Sequence, residues 1–125
     1  MRNQPKYKFF KNWGYAMSGF LEVFKNETAL RLEIIVFIIL TIVSLFFKIP
    51  SIHRLLMYSC FFIVIIVELI NSSIERCVDL ITKDYHDLAK HAKDAVSAAV
   101  MTANFLTTFV WIFFIYTDIF LKLNI

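Results

Sequence analysis

Four polar side chains recur along one otherwise apolar stretch: Glu68, Asn71, Glu75 and Asp79. Their spacings of three, four and four residues place them on one face of a helix. Acids one turn apart on a shared face repel one another, so the row costs energy unless a cation relieves it. Several carboxylates with few His or Cys favour a hard divalent ion such as Mg2+ over zinc. Such an ion is held by one or two carboxylates plus the phosphates of a substrate. The row therefore points to phosphoryl transfer, with ion transport as the competing chemistry.

Depth sharpens this. The apolar run carrying Glu68 begins near Ile52. A helix rising ~1.5 Å per residue covers a bilayer core in ~20 residues and reaches the far boundary near Asn71. Glu68 then lies about one turn inside the hydrocarbon edge, where an ionisable group is a functional candidate by default. Glu27 precedes the first apolar run and Lys93-Asp94 opens the third. Three helices thus bring ionisable groups to one membrane face.

Each residue also has a plainer reading. Glu27 could favour a helix start and pair with Arg31. Asn71 could bridge helices. Glu75 and Asp79 could form a solvated helix end, and Lys93 and Asp94 a helix start. Ser72, Ser73, Ser97, Ala98 and Ala99 suit close helix packing. The joint pattern carries more than its members. Elsewhere the chemistry is sparse. Gly14 and Gly19 have half the spacing of a phosphate-binding loop, but Phe20 and Leu21 stand where Lys and Ser or Thr are required. Cys60 and Cys77 form no CxxC pair, and His86 and His91 share no helix face, so neither a zinc site nor a disulfide framework is expected.

The elements that must position these groups are helical and apolar. The chain has 125 residues, 59% hydrophobic and 18% charged, with 14 Phe and only 2 Gly and 2 Pro. Its mean hydropathy is +0.68. A soluble domain this small should be more polar, a disordered chain lacks such apolar content, and the scarcity of turn formers argues against an all-β design. The expected fold is an all-α integral membrane protein in a single domain over 1–125. Transmembrane helices are predicted over 28–47, 52–81 and 93–116, the first capped by Asn26 or Thr28. Residues 82–92 read as a loop or helix ends, and Pro50 closes the turn between the first two spans.

The N-terminal region lacks the continuous apolar run of a signal peptide. From Phe9 on, Phe9, Phe10, Trp13, Met17, Phe20, Leu21 and Phe24 form a stripe opposite Lys8, Lys11 and Lys25. That describes an amphipathic helix over 6–25 lying in the membrane interface. Ten of the 13 basic residues, Arg2 among them, fall in the N-terminal region and the second loop; Lys48, Arg54 and Lys122 fall on the opposite side. The N-terminus is therefore expected in the cytoplasm. The small net charge of +3 orients the chain rather than binding nucleic acid. Three spans cannot easily hide a polar face from lipid, so neighbouring chains are expected to cover it.

The stretch Glu68-Leu-Ile-Asn-Ser-Ser-Ile-Glu-Arg-Cys-Val-Asp79 resembles the signature of the prokaryotic diacylglycerol kinase family. Tyr85-His86, Ala92-Lys93-Asp94 and Ser97-Ala-Ala-Val100 resemble its second block, and Asn26-Glu27 with Arg31-Leu-Glu33 fits its first span. The resemblance covers roughly residues 8–118. It implies a homotrimer in the bacterial cytoplasmic (inner) membrane with active sites shared between subunits, phosphorylating diacylglycerol, or undecaprenol in a close variant, from ATP. By resemblance, Glu68 is the general base, and Glu27 and Glu75 hold Mg2+ on ATP. Lys8, Tyr15, Asn71, Asp84, Tyr85, His86, Lys93 and Asp94 join these two at the nucleotide. Trp13, Met17, Arg31, Arg54, Ser97 and Trp111 would line the lipid site with Glu68. Two departures stand out. Ala89-Lys90-His91 replaces a frequent Ser-Gly-Arg, and Lys8 stands where Arg is common, which loses bidentate phosphate contact.

Overall fold

A computed structural model describes residues 5–124, so Arg2 and the extreme ends of the 1–125 domain lie outside the described residues. The described residues form helices and no strands. These are α1 (Phe9–Asn26), α2 (Thr28–Ser44), α3 (Ser51–Ile81) and α4 (Asp87–Ile115). A π-helical turn (Tyr116–Phe120) and a last helical turn (Leu121–Leu123) continue from α4.

The boundaries correct several expectations. α1 begins at Phe9 rather than 6, with Lys8 in extended conformation before it. The residue before α2 is Glu27, and neither Asn26 nor Thr28 caps it. Asn26 instead donates back to the Glu22 carbonyl at 2.9 Å and its carboxylate at 2.7 Å. Arg31 does not reach for Glu27. Its guanidinium takes the orphan carbonyls of Phe24 and Lys25, at 3.3 and 2.5 Å, closing the end of α1. α2 stops at Ser44 instead of 47, because its end tightens into i→i+3 bonds from Leu45, Phe46 and Phe47. Arg54 fixes that end by donating to the Ser44 and Phe47 carbonyls at 3.1 and 3.2 Å.

α3 starts directly after Pro50 (φ −55°), where a proline's missing N–H is harmless. α4 begins at Asp87, six residues before the predicted 93, so only five residues link it to α3. The reason is local. His86 Nδ1 accepts the Leu88 N–H at 3.2 Å, and Asp87 complements the positive helix end.

So short a link makes α3 and α4 an antiparallel pair, and this pair provides most of the tertiary contact. One end is packed by Ile49, Met57, Phe61 and Trp111, with Phe37, Leu40, Tyr58 and Phe114 against them. Trp111 satisfies its indole N–H on the Met57 carbonyl at 3.0 Å. Thr107 joins the helices mid-way by donating to the Cys60 carbonyl at 3.3 Å. His53 and the buried Asp118 of the π turn pair at 2.8 Å beyond this core. α2 lies on α3, and α1 meets α2 and α3 at few points.

Outside this seam the pattern of a soluble protein is inverted. Ile35, Ile38, Ile39, Ile42, Phe62, Ile66, Phe105, Phe109 and Ile112 are all exposed. Apolar surface of that extent is stable only against lipid or protein. Two helical stretches, Ser51–Ile81 and Asp87–Leu123, are long and apolar enough to cross a bilayer. α2, at 17 residues, reaches ~26 Å, slightly under the ~30 Å core. The molecule is an all-α membrane protein.

Candidate active site

At the end of the bundle opposite the Trp111 core, α3 supplies the polar row read from its spacing. Glu68 is only 6% exposed and Ser72 is buried, while Asn71 and Glu75 are half-buried and Asp79 is exposed. A carboxylate buried between apolar helices requires polar company, and three elements provide it. From the α1–α2 junction, Glu27 Oε1 accepts the Ser72 hydroxyl at 3.2 Å. Glu27 and Glu75 both lie within electrostatic reach of Glu68, and Asn71 stands one turn along the same helix face. From α4, Lys93 pairs with Asp79 at 2.6 Å.

Glu33 is the residue that sequence reasoning passed over. Its Oε1 accepts from Asn104 of α4 at 3.3 Å, and its buried Oε2 has no hydrogen-bond partner. Its carboxyl lies within electrostatic reach of that of Glu68. Two facing carboxyls repel unless a proton or cation lies between them. In sequence it stands two residues from Arg31 at the entry to an apolar run, where an acid is unremarkable. What identifies it is Asn104, which sits 71 residues away.

The expected nucleotide residues divide into groups. Asp84, Tyr85, His86, Lys93 and Asp94 line one cleft of about 380 Å³, together with Thr82, Lys83 and Lys90. Thr82 Oγ1 accepts the Asp84 N–H at 3.1 Å, which shapes the loop. Tyr85 donates to Asp87 at 2.8 Å, and that carboxylate raises the phenol above its ordinary pKa. Lys90 spans one helical turn to Asp94 at 2.5 Å. Lys8 and Tyr15 line a separate cleft with Lys6, Tyr7, Lys11 and Asn12. Asn71, Glu75 and Glu27 belong to the row on α3.

The expected lipid residues are more scattered. Trp13, Met17 and Ser97 are exposed. Arg31 closes the α1–α2 corner. Arg54 and Trp111 lie at the opposite end, in the helix-capping network and the core. Their contacts are structural ones.

The donor set bears on the metal. Among the described residues, no group of three or more His, Cys, Asp or Glu is arranged to hold an ion unaided. Glu27 and Glu75 fit the other mode, in which carboxylates take an ion that arrives on phosphate oxygens. Glu27 Oε1 is already engaged by Ser72, with Arg76 Nη2 at 3.8 Å.

A helical membrane protein with a buried carboxylate on α3 and, further along that helix, a lysine-bearing cleft at the α3–α4 loop carries the kinds of group that phosphoryl transfer uses. The comparisons with known proteins agree. Residues 14–115 match the family model described as prokaryotic diacylglycerol kinase. The chain is 35% identical over 104 residues to the diacylglycerol kinase of Escherichia coli (strain K12), covering 83% of this chain and 85% of that one. Over 98 residues it is 37% identical to the diacylglycerol kinase of Pseudomonas aeruginosa, covering 78% of this chain and 80% of the relative. Over 97 residues it is 38% identical to that of Haemophilus influenzae, covering 78% and 82%. The chain belongs to the prokaryotic diacylglycerol kinase family, and it is an enzyme, a lipid kinase of that type.

Proposed function

We propose that this chain transfers the γ-phosphoryl group of ATP to the free hydroxyl of diacylglycerol, giving phosphatidic acid and ADP. The observation that carries the reading is the burial of Glu68 near polar groups of α2, α3 and the α1–α2 junction. In this reading α2, α3 and α4 cross the bacterial inner membrane as one multi-pass domain. α1 lies in the interface, and the N-terminus is cytoplasmic. Three copies assemble into a homotrimer that shares its active sites, which covers the exposed apolar faces of α2 and α4.

Glu68 accepts the proton of the attacking hydroxyl as that oxygen bonds to the γ-phosphorus. The bond from phosphorus to the bridging oxygen of ADP breaks in line with it. Such transfer depends mainly on positioning and charge neutralisation, so the neighbours of Glu68 matter as much as the base. Asn71 fixes the carboxylate it adjoins. Glu27 and Glu75 would hold Mg2+, which on ATP would neutralise phosphate charge. Lys93 and Asp94 meet the nucleotide in the cleft walled by Asp84, Tyr85 and His86, and Lys8, just before α1, and Tyr15 of α1 add to nucleotide binding from the separate cleft they line. Trp13, Met17 and Ser97 face the lipid. Arg31, Arg54 and Trp111 support that site by holding helix ends and the core.

The test is labelled phosphate transfer from ATP in mixed micelles holding one lipid at a time. Diacylglycerol is expected to be labelled. Labelling of undecaprenol with no diacylglycerol turnover would reverse the substrate assignment.

A further inference from the structure

Arg76 has no part in the mechanism above, yet its guanidinium joins three elements. On α3 it is the residue after Glu75. Nη1 is hydrogen-bonded to Glu22 Oε2 of α1, and Nη2 stands 3.8 Å from Glu27 Oε1 at the α1–α2 junction. The second Glu22 oxygen is fixed by Asn26 at 2.7 Å. Arg76 is therefore tethered to Glu22 while remaining too far from Glu27 to bond it. Glu27 takes its hydrogen bond from Ser72 instead.

Fastening α1 does not account for this geometry. Both partners of the Arg76–Glu22 pair are more than two-fifths exposed, and pairs that open to solvent contribute little to stability. Electrostatics at the neighbouring carboxylate is the larger effect, because a divalent ion meets twice the repulsion that a single charge would.

We propose that Arg76 sets the divalent-ion affinity of the site. It is a built-in cation, positioned by Glu22, that balances Glu27 in the resting enzyme and opposes any ion arriving there. The inference rests on the metal-holding role given above to Glu27 and Glu75. Arg76 acts through Glu27 and is a positioning residue, not one that touches the reacting atoms. Its effect is to hold down, without abolishing, the affinity of the carboxylates for a free ion.

The test is binding of Mn2+ alone, without nucleotide, to the full-length protein in detergent, read from the loss of the free-ion electron paramagnetic resonance signal. Arg76→Gln is expected to tighten binding on the order of fivefold, as for a unit charge removed ~8 Å from the ion in near-aqueous surroundings. Arg76→Lys keeps the charge and is expected to stay close to the parent protein. Glu22→Gln unties Arg76, lets it close on Glu27, and is expected to weaken binding. Unchanged or weaker Mn2+ binding by Arg76→Gln overturns the proposal, as does unchanged or tighter binding by Glu22→Gln. Glu27→Gln separates the two levels. If it weakens Mn2+ binding while Arg76→Gln does nothing, the metal site stands and the role of Arg76 falls. If Glu27→Gln binds Mn2+ like the parent protein, both fall together.

Discussion

Glu68 and Glu33 show what a single side chain reveals and conceals. Glu68 was legible because its depth in an apolar run leaves an ionised group no cheap alternative to use. Glu33 sits as deep in the fold, but near Arg31 and the start of its helix it reads as an ordinary membrane-edge acid. Its importance comes from Asn104 and from Glu68 itself, contacts that no local pattern encodes. Ser72 is buried, as a packing residue should be, and also donates to Glu27. The Glu22–Arg76 pair, 54 residues apart in sequence, was invisible for the same reason. At this scale we predict that Glu75→Gln raises the Mg2+ concentration needed for half-maximal activity by about tenfold, the loss expected when one group at a metal site is removed. A Mg2+ titration of lipid phosphorylation checks this, and an unchanged midpoint would take Glu75 out of the metal site.

Helix existence and order followed from apolar run length and from Pro50, while helix ends did not. Ends depend on which side chain satisfies the last backbone groups, and those partners come from other elements or unexpected neighbours. Arg54 ends α2 from the first turn of α3, and His86 starts α4 within a segment that reads as a loop or helix ends. The π turn at Tyr116–Phe120 keeps the hydrophobic period of a helix, so nothing in the pattern marks it. Its Asp118 is buried against His53, 65 residues earlier, with Lys122 one turn on at 3.6 Å. We predict that Arg54→Ala destabilises the protein by about 2 kcal/mol, because charged hydrogen bonds to two carbonyls and to Tyr58 are lost together. Thermal unfolding in detergent followed by circular dichroism should show a lower midpoint. His86→Ala should cost about 1 kcal/mol through loss of the α4 cap.

For the molecule as a whole, composition was enough to fix the class. Many large apolar side chains lie on the outside, which only a membrane or neighbouring copies can tolerate. Orientation rests on the distribution of Lys and Arg and is open to a direct check with residues already present. Cys77 is a free, exposed thiol near the Glu75–Asp79 end of α3, and Cys60 is free and buried. A membrane-impermeant maleimide should label Cys77 in inverted vesicles and spare it in intact spheroplasts. Cys60 should be spared in both. Labelling of Cys77 from the outside would reverse the assigned topology. What stayed out of reach of the sequence is how α1 and α2 come to share one site with α3. That arrangement depends on a few polar contacts between elements whose surfaces are otherwise apolar.

The central claim is that Glu68 takes the proton of the lipid hydroxyl. The most direct measurement compares Glu68→Gln with the parent protein in single-turnover phosphoryl transfer from ATP to diacylglycerol, on samples matched for helicity and nucleotide binding. Loss of a positioned base costs roughly 10²–10⁴ in rate, so we predict a fall of at least about 100-fold with nucleotide binding preserved. Transfer within a few-fold of the parent rate would contradict the account.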